Sequence, residues 1–204
     1  MSIVKEGYPF IIIAFLIAVI LVFIGFIKIG IVAVAVGLFF AFFFRDPAII
    51  ITKGDGLILS PCNGTVMEVR ENDNGQSVIR VFLSVFDVHL QRSPISGTVK
   101  NVEYKPGKFL KANDERAHIE NEQIAITIEN ENGTYVVKQI AGILARRCVA
   151  WVKNGDVLKI GDKIGVIKFG SQVDLHMPSG YKINVKKGDK VVSGVTVFAF
   201  TKTN

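Results

Sequence analysis

The segment Val152-Lys-Asn-Gly-Asp-Val-Leu-Lys-Ile-Gly161 returns further along the chain as Val185-Lys-Lys-Gly-Asp-Lys-Val-Val-Ser-Gly194. The shared pattern, Lys-x-Gly-Asp-x-x-x-x-Gly, predicts a tight turn that leads into a strand. Around it, from Leu57 onward, short runs rich in β-branched residues follow one another: Gly64-Thr-Val-Met-Glu-Val, Val78-Ile-Arg-Val-Phe-Leu, Ala125-Ile-Thr-Ile and Thr134-Tyr-Val-Val. Such residues favour strands. Turn signals separate the runs at Asp73-Asn-Gly75, Glu131-Asn-Gly133, Lys153-Asn-Gly-Asp156 and Lys187-Gly-Asp189. No long amphipathic helix interrupts them; a turn or two is expected around 113–122. A mainly β sandwich or barrel over residues 46–204 follows.

Residues 1–45 are different. Pro9 to Phe44 holds a single charge, Lys28. One helix of that length would rise about 54 Å, against a hydrocarbon core of about 30 Å. Two apolar spans, about 9–26 and 30–44, fit better and predict a transmembrane helical hairpin turning near Gly25-Phe-Ile-Lys-Ile-Gly30. One span plus an interfacial segment is the alternative, because the second span is short. A cleaved signal peptide is not expected, since the apolar run is too long and Phe43-Phe44-Arg45 offers no small-residue site. A hairpin puts Lys5 and Arg45 on one side with the basic β domain, and the positive-inside tendency assigns that side to the cytoplasm.

The whole chain carries a formal net charge of +6. A surplus of this sign suits an anionic lipid surface. The basic residues are scattered and lack the aromatic interleaving of a nucleic-acid stacking platform, so no nucleic-acid partner is expected. Cys62 and Cys148 lie far apart, with neither a metal-ligand spacing nor a disulfide framework. Reduced thiols agree with a cytoplasmic domain at the cell membrane.

One dipeptide stands out within the strand runs. Gly170-Ser171 sits between Val166-Ile-Lys-Phe and Gln172-Val-Asp-Leu. A glycine inside a strand marks a bend or a close backbone approach, and here it could expose the Gly170 carbonyl to the Ser171 hydroxyl. An ordinary bulge is the competing reading. Gly-x-Ser-x-Gly is absent, which removes the serine-hydrolase elbow.

The stretch from Ala145 to Ser171 resembles the phosphatidylserine decarboxylase family in its short form. So do Phe43-Phe-Arg-Asp-Pro47, Ser60-Pro-Cys-Asn-Gly64, Phe86-Asp-Val-His-Leu-Gln-Arg-Ser-Pro94 and Glu120-Asn-Glu-Gln123, in the family's order and across nearly the whole chain. The resemblance implies self-cleavage between Gly170 and Ser171 into a β chain, 1–170, and an α chain, 171–204. It implies that Ser171 becomes a covalent pyruvoyl cofactor, with no metal. That carbonyl would form a Schiff base with the amine of a serine-headgroup phospholipid, phosphatidylserine or archaetidylserine, and act as the electron sink for decarboxylation. The two chains are expected to stay associated; assembly into a homo-oligomer is left open.

His89 is the histidine that matches the family motif, as base and acid. Strand alternation from Asp87 to His89 would place both on one face, with the carboxylate orienting the imidazole. Arg92 stands where longer family members carry a second histidine, and is a candidate phosphate ligand. Asn63 departs from the family's aspartate, which is thought to complete a triad with histidine and serine. An amide cannot stabilise an imidazolium, and in a serine-protease triad Asp→Asn costs about 10⁴ in rate. Asp87 then supplies the carboxylate, or the chain is a maturation-defective proenzyme. His118 and His176 read as structural. Lys108, Arg116, Arg146 and Arg147 have two readings, phosphate or carboxylate partners and solvated charges, and the second is favoured for each.

The Lys-x-Gly-Asp pattern is also similar to lipoyl- and biotinyl-carrier sandwiches and to membrane-anchored transport adaptors. It points to a barrel-sandwich hybrid-like domain, and it supports a non-enzymatic membrane-tethered adaptor as the second functional reading.

Overall fold

A computed structural model describes residues 2–110, 116–142, 147–168 and 171–201. The chain divides into two compact units, Met1–Ala48 and Ile49–Asn204.

The first unit is a helical hairpin. Strand β1 (Ser2–Ile3) leads into helix α1 (Tyr8–Phe23), then helix α2 (Ile27–Phe43) and strand β2 (Arg45–Asp46). β1 and β2 pair antiparallel, Ser2 opposite Asp46 and Ile3 opposite Arg45, and close the base. Pro9 sits in the first turn of α1, where no backbone donor is needed. Small buried residues, Ala14 and Ala18 on α1 and Gly30 and Gly37 on α2, let the helices approach. A Cβ at Gly30 would lie 2.6 Å from Val22 Cγ2 and 3.2 Å from the Ala18 carbonyl.

The turn is tighter than the sequence suggests: it occupies 24–26 and α2 already begins at Ile27. Gly25, at φ +88°, reverses the chain by itself, and Gly30 serves helix contact instead. The outward surface is apolar on every side; Phe23 is 90% exposed at the tip. Lys5–Phe23 is long and apolar enough to cross a membrane by length and composition, and Ile27–Phe43 is shorter.

The second unit is mainly β. Its first strands are β3 (Leu57–Leu59), β4 (Gly64–Glu71), β5 (Ser77–Leu83), β6 (Leu90–Arg92) and β7 (Gly97–Lys105). The one-turn helix α3 (Ala117–Glu120) precedes β8 (Gln123–Asn130), β9 (Gly133–Ala141) and β10 (Arg147–Ala150). Then come β11 (Val157–Leu158), β12 (Lys163–Lys168) and β13 (Ser171–Met177). Strands β14 (Tyr181–Ile183), β15 (Lys190–Val191) and β16 (Val197–Thr201) end the described chain. Eight of them form one sheet, in the order β11-β7-β8-β9-β13-β5-β4-β15; β10-β12-β6 and β14-β16-β3 form two smaller sheets. Ile58, Val81, Leu83, Ile126, Val137, Val173, Leu175 and Phe198 belong to one buried core.

The sequence echo is a structural repeat. In Lys153–Asp156 and Lys186–Asp189 the aspartate carboxylate accepts the lysine N–H, at 2.9 Å in each case. The glycine between them has φ +90° and +96°. A third copy, Lys159–Asp162, overlaps the end of the first and makes the same bond at 2.7 Å. The two echoes do not pair with each other. Their strands, β11 and β15, close opposite edges of the large sheet.

Each docks on one copy of a second repeat, Ser-Pro-x-x-Gly-Thr-Val, at Ser60–Val66 and Ser93–Val99. Val66 N–H donates to Asp189 O, and Val99 N–H to Asp156 O. Gly194 N–H donates to Ser60 O, and Gly161 N–H to Ser93 O. Ser60 Oγ donates to Cys62 O and Ser93 Oγ to Ile95 O, both at 2.6 Å. The unit is thus built from two equivalent halves.

Candidate active site

Ser171 opens β13, which lies between β5 and β9: Ser171 pairs with Leu83 on one side and Ala141 on the other. Alternation sends Ser171, Val173, Leu175 and Met177 to one face, the core face. Ser171 is fully buried, and its Oγ has no hydrogen-bond partner among the described residues. An unsatisfied buried hydroxyl carries a desolvation cost, and such groups mark chemistry or strain. Gly170 and Arg146 lie outside the described residues.

His89 is buried on the loop that enters β6. Its backbone is held from two sides, by Ile167 N–H to His89 O at 3.1 Å and by Gln91 Nε2 to His89 O at 2.6 Å. The first of these ties it to β12, the strand that runs toward Gly170. The ring Nδ1 faces the Asp87 carbonyl at 3.0 Å. A carbonyl only accepts, so the proton sits on Nδ1 and Nε2 is the basic nitrogen.

This corrects the reading of Asp87. Residues 84–89 form a turn rather than a strand, so alternation does not apply. The Asp87 carboxylate turns back and accepts the N–H and Oγ–H of Ser84, at 2.8 and 2.7 Å. Its backbone carbonyl, rather than its side chain, orients His89.

Asn63 has a structural task. Its Oδ1 accepts the Ser193 N–H at 3.2 Å. In the other half Ser96 Oγ accepts the equivalent Ile160 N–H at 2.9 Å. Arg92 donates to the Gly161 carbonyl at 3.0 Å, across the turn of the first echo. Lys108 pairs with Glu120 at 2.7 Å in an exposed bridge, which agrees with a solvated charge.

Several polar residues near Ser171 escape a reading by motif. Gln139 is fully buried and donates to Gln91 Oε1 at 2.7 Å, linking β9 to the residue that holds the His89 carbonyl. Its polar side chain at an inward register of a β-branched strand is the signal that could have found it. On the opposite face of β13, Gln172 bonds the buried Asp174, which faces Arg80 at 3.3 Å. Burial raises the Asp174 carboxyl above its usual range, against the pull of Gln172 and Arg80. A groove of about 1070 Å³ runs along that face, past Glu68, Arg80, Arg116, His118 and Gln172. It is on the far side of the sheet from the Ser171 hydroxyl. Cys62 and Cys148 are buried free thiols.

His176 shares that outer face. Burial first, then the charges of Lys138, Arg80 and His118, push it from 6.5 down to about 4. The fold therefore favours the neutral ring. Its contribution is complete above pH 6.5 and is lost as pH falls from 6.5 through 4. We expect a loss of up to about 3 kcal/mol over that window, measured by denaturant unfolding of the whole protein against His176→Gln. A variant with the same acid sensitivity as wild type would refute this.

Comparison with known proteins identifies the family. The family described as phosphatidylserine decarboxylase matches residues 36–199. The phosphatidylserine decarboxylase proenzyme of Geotalea uraniireducens is 41% identical over 201 residues, covering 96% of this chain and 94% of its own. That of Symbiobacterium thermophilum is 42% identical over 202 residues, covering 96% and 94%. That of Ehrlichia chaffeensis is 40% identical over 207 residues, covering 96% and 90%. A match this long, which takes in both Ser171 and His89, places the chain in the phosphatidylserine decarboxylase family.

Proposed function

We propose that this protein removes the headgroup carboxyl of phosphatidylserine as carbon dioxide and leaves phosphatidylethanolamine, using a pyruvoyl group made from its own Ser171. The observation that carries the reading is the buried, unsatisfied Ser171 hydroxyl at the start of a central strand. Nε2 of His89 takes the Ser171 proton, and Oγ attacks the Gly170 carbonyl. The C–O bond forms, His89 passes the proton on to the Ser171 nitrogen, and the C–N bond breaks, so the peptide becomes an ester with a free Ser171 amine. Loss of the Ser171 α-proton expels residues 1–170 as a carboxylate and leaves dehydroalanine. Water converts this to pyruvoyl and releases ammonia. Once formed, the group supplies the electron sink that a carbanion α to nitrogen requires.

The proposed chemistry concerns only the headgroup, so ester-linked and ether-linked tails, as in archaetidylserine, both fit it. We place the hairpin in the bilayer because its outward surface is apolar all round. We assign the β unit to the cytoplasmic side on the positive-inside tendency, because Lys5 and Arg45 flank the hairpin. The two-half repeat supports a barrel-sandwich hybrid architecture of the lipoyl and biotinyl kind.

Purified protein incubated with carboxyl-labelled phosphatidylserine should release labelled carbon dioxide in step with the appearance of two chains. An uncut chain that releases none is the adaptor or the maturation-defective proenzyme. The engagement of the Asp87 carboxylate by Ser84 favours the latter as second reading. Asn63→Asp separates these two. The new carboxylate can still accept the Ser193 N–H, and it stabilises an imidazolium that an amide cannot. Self-cleavage is expected to speed up about tenfold or more, read as the fraction of cut chain against time. An unchanged rate would remove Asn63 from the cleavage chemistry.

A further inference from the structure

The Glu120-Asn-Glu-Gln123 block has no part in the chemistry above, yet it contains a buried carboxylate beside the cut. Glu122 is 7% exposed. Its Oε1 accepts the Cys148 N–H and its Oε2 the Tyr104 hydroxyl, each at 3.3 Å. Both donors are neutral and both bonds are long. Among the described residues no cation lies within ion-pair distance of it, and nearby Lys108 is held by Glu120. The Glu122 charge, after burial, pushes both the Cys148 thiol and the Tyr104 hydroxyl up. A buried carboxylate without a cation is costly to keep.

Its position gives that cost a use. Glu122 O accepts Ala141 N–H at 2.9 Å, and Ala141 pairs with Ser171. The side chain meanwhile holds Cys148, whose strand pairs Cys148 with Ile167 and Arg147 with Lys168. Glu122 therefore joins β9 to β10 where the chain passes from Lys168 to Ser171. Beside it is a pocket of about 640 Å³ lined by Tyr104, Phe109, Glu122, Arg147 and Cys148. Arg147 is exposed, and its guanidinium has neither a hydrogen-bond nor an ion-pair partner among the described residues.

We infer that this pocket takes the charged end of the lipid headgroup, with the ammonium on Glu122 and the phosphodiester on Arg147; this rests on the reading of the chain as a serine-phospholipid decarboxylase. The ammonium supplies the cation that the buried carboxylate lacks. The ion pair holds the headgroup nitrogen where Glu122 joins β9 to β10, next to the strand that begins at Ser171. Arg147 presents the planar fork that suits a phosphate.

The test uses the uncut Ser171→Ala chain, whole and in detergent, titrated calorimetrically with dihexanoyl phosphatidylserine and dihexanoyl phosphatidylglycerol. The glycerol lipid keeps the phosphate and lacks the amine. The parent should bind the serine lipid about tenfold more tightly or better. Adding Glu122→Gln, which keeps an acceptor for Cys148 N–H, should erase that preference and leave the glycerol lipid within about twofold of the parent. Adding Arg147→Ala, an exposed change that does not test folding, should weaken both lipids about tenfold. A preference that survives Glu122→Gln, or Arg147→Ala binding like the parent, overturns the assignment. If wild type releases carbon dioxide while either of these holds, only the pocket falls. If wild type releases none, the function reading itself falls.

Discussion

Ser171→Ala is expected to give one uncut chain of 204 residues, folded as wild type and without decarboxylase activity. Wild type should instead give residues 1–170 and a second chain, 171–204, with no free amino terminus. The substitution removes the only atom that can form the ester, so cleavage should fall to the uncatalysed rate. It should cost little stability, because the hydroxyl makes no hydrogen bond among the described residues. Removing an unsatisfied buried polar atom is close to neutral, within about 1 kcal/mol. Intact-mass analysis reads the cut, and thermal unfolding reads the fold. A Ser171→Ala chain that still divides would overturn the serine mechanism outright.

His89→Ala should slow maturation about 10²- to 10⁴-fold, the range for loss of a positioned general base. Asp87→Asn should behave differently. Were its carboxylate the partner of the imidazole, a triad-like loss of about 10⁴ would follow. The structure gives that task to the Asp87 carbonyl, which the substitution keeps, while an Asn side chain still accepts from Ser84. We expect less than about a tenfold effect. Time courses of the two variants side by side decide it, since equal and severe slowing would restore the carboxylate to the ring.

The same two residues show what could be read from the sequence. His89 and Ser171 could be picked out as candidates because motifs mark them. The role of Asp87 was not legible, because the spacing Asp-Val-His looks the same in a strand and in a turn. The hydrogen bonds between Ser84 and Asp87 reveal the turn. The β class was legible from the β-branched runs and the Lys-x-Gly-Asp turns, whose local bonds depend on few residues. The paired Ser-Pro-x-x-Gly-Thr-Val segments were equally present in the sequence. Their meaning depends on contacts across more than a hundred residues, such as Asn63 with Ser193. Glu122 was hidden for a related reason: a charged residue in a loop reads as solvated until two sheets close over it.

Strand β13 has neighbours on both sides, in register over its length with β5 and over most of it with β9. It begins at the proposed cut, so the smaller chain is threaded through the middle of the sheet rather than hung on its edge. A dissociable cofactor can be lost and replaced; the group proposed at Ser171 could not be. Exchanging it would mean opening two ladders of hydrogen bonds and the core beneath them. On the proposed chemistry each molecule would be charged once, at birth. Any side reaction that spent the group formed from Ser171 would retire the whole chain, and lost activity would return only with newly made protein.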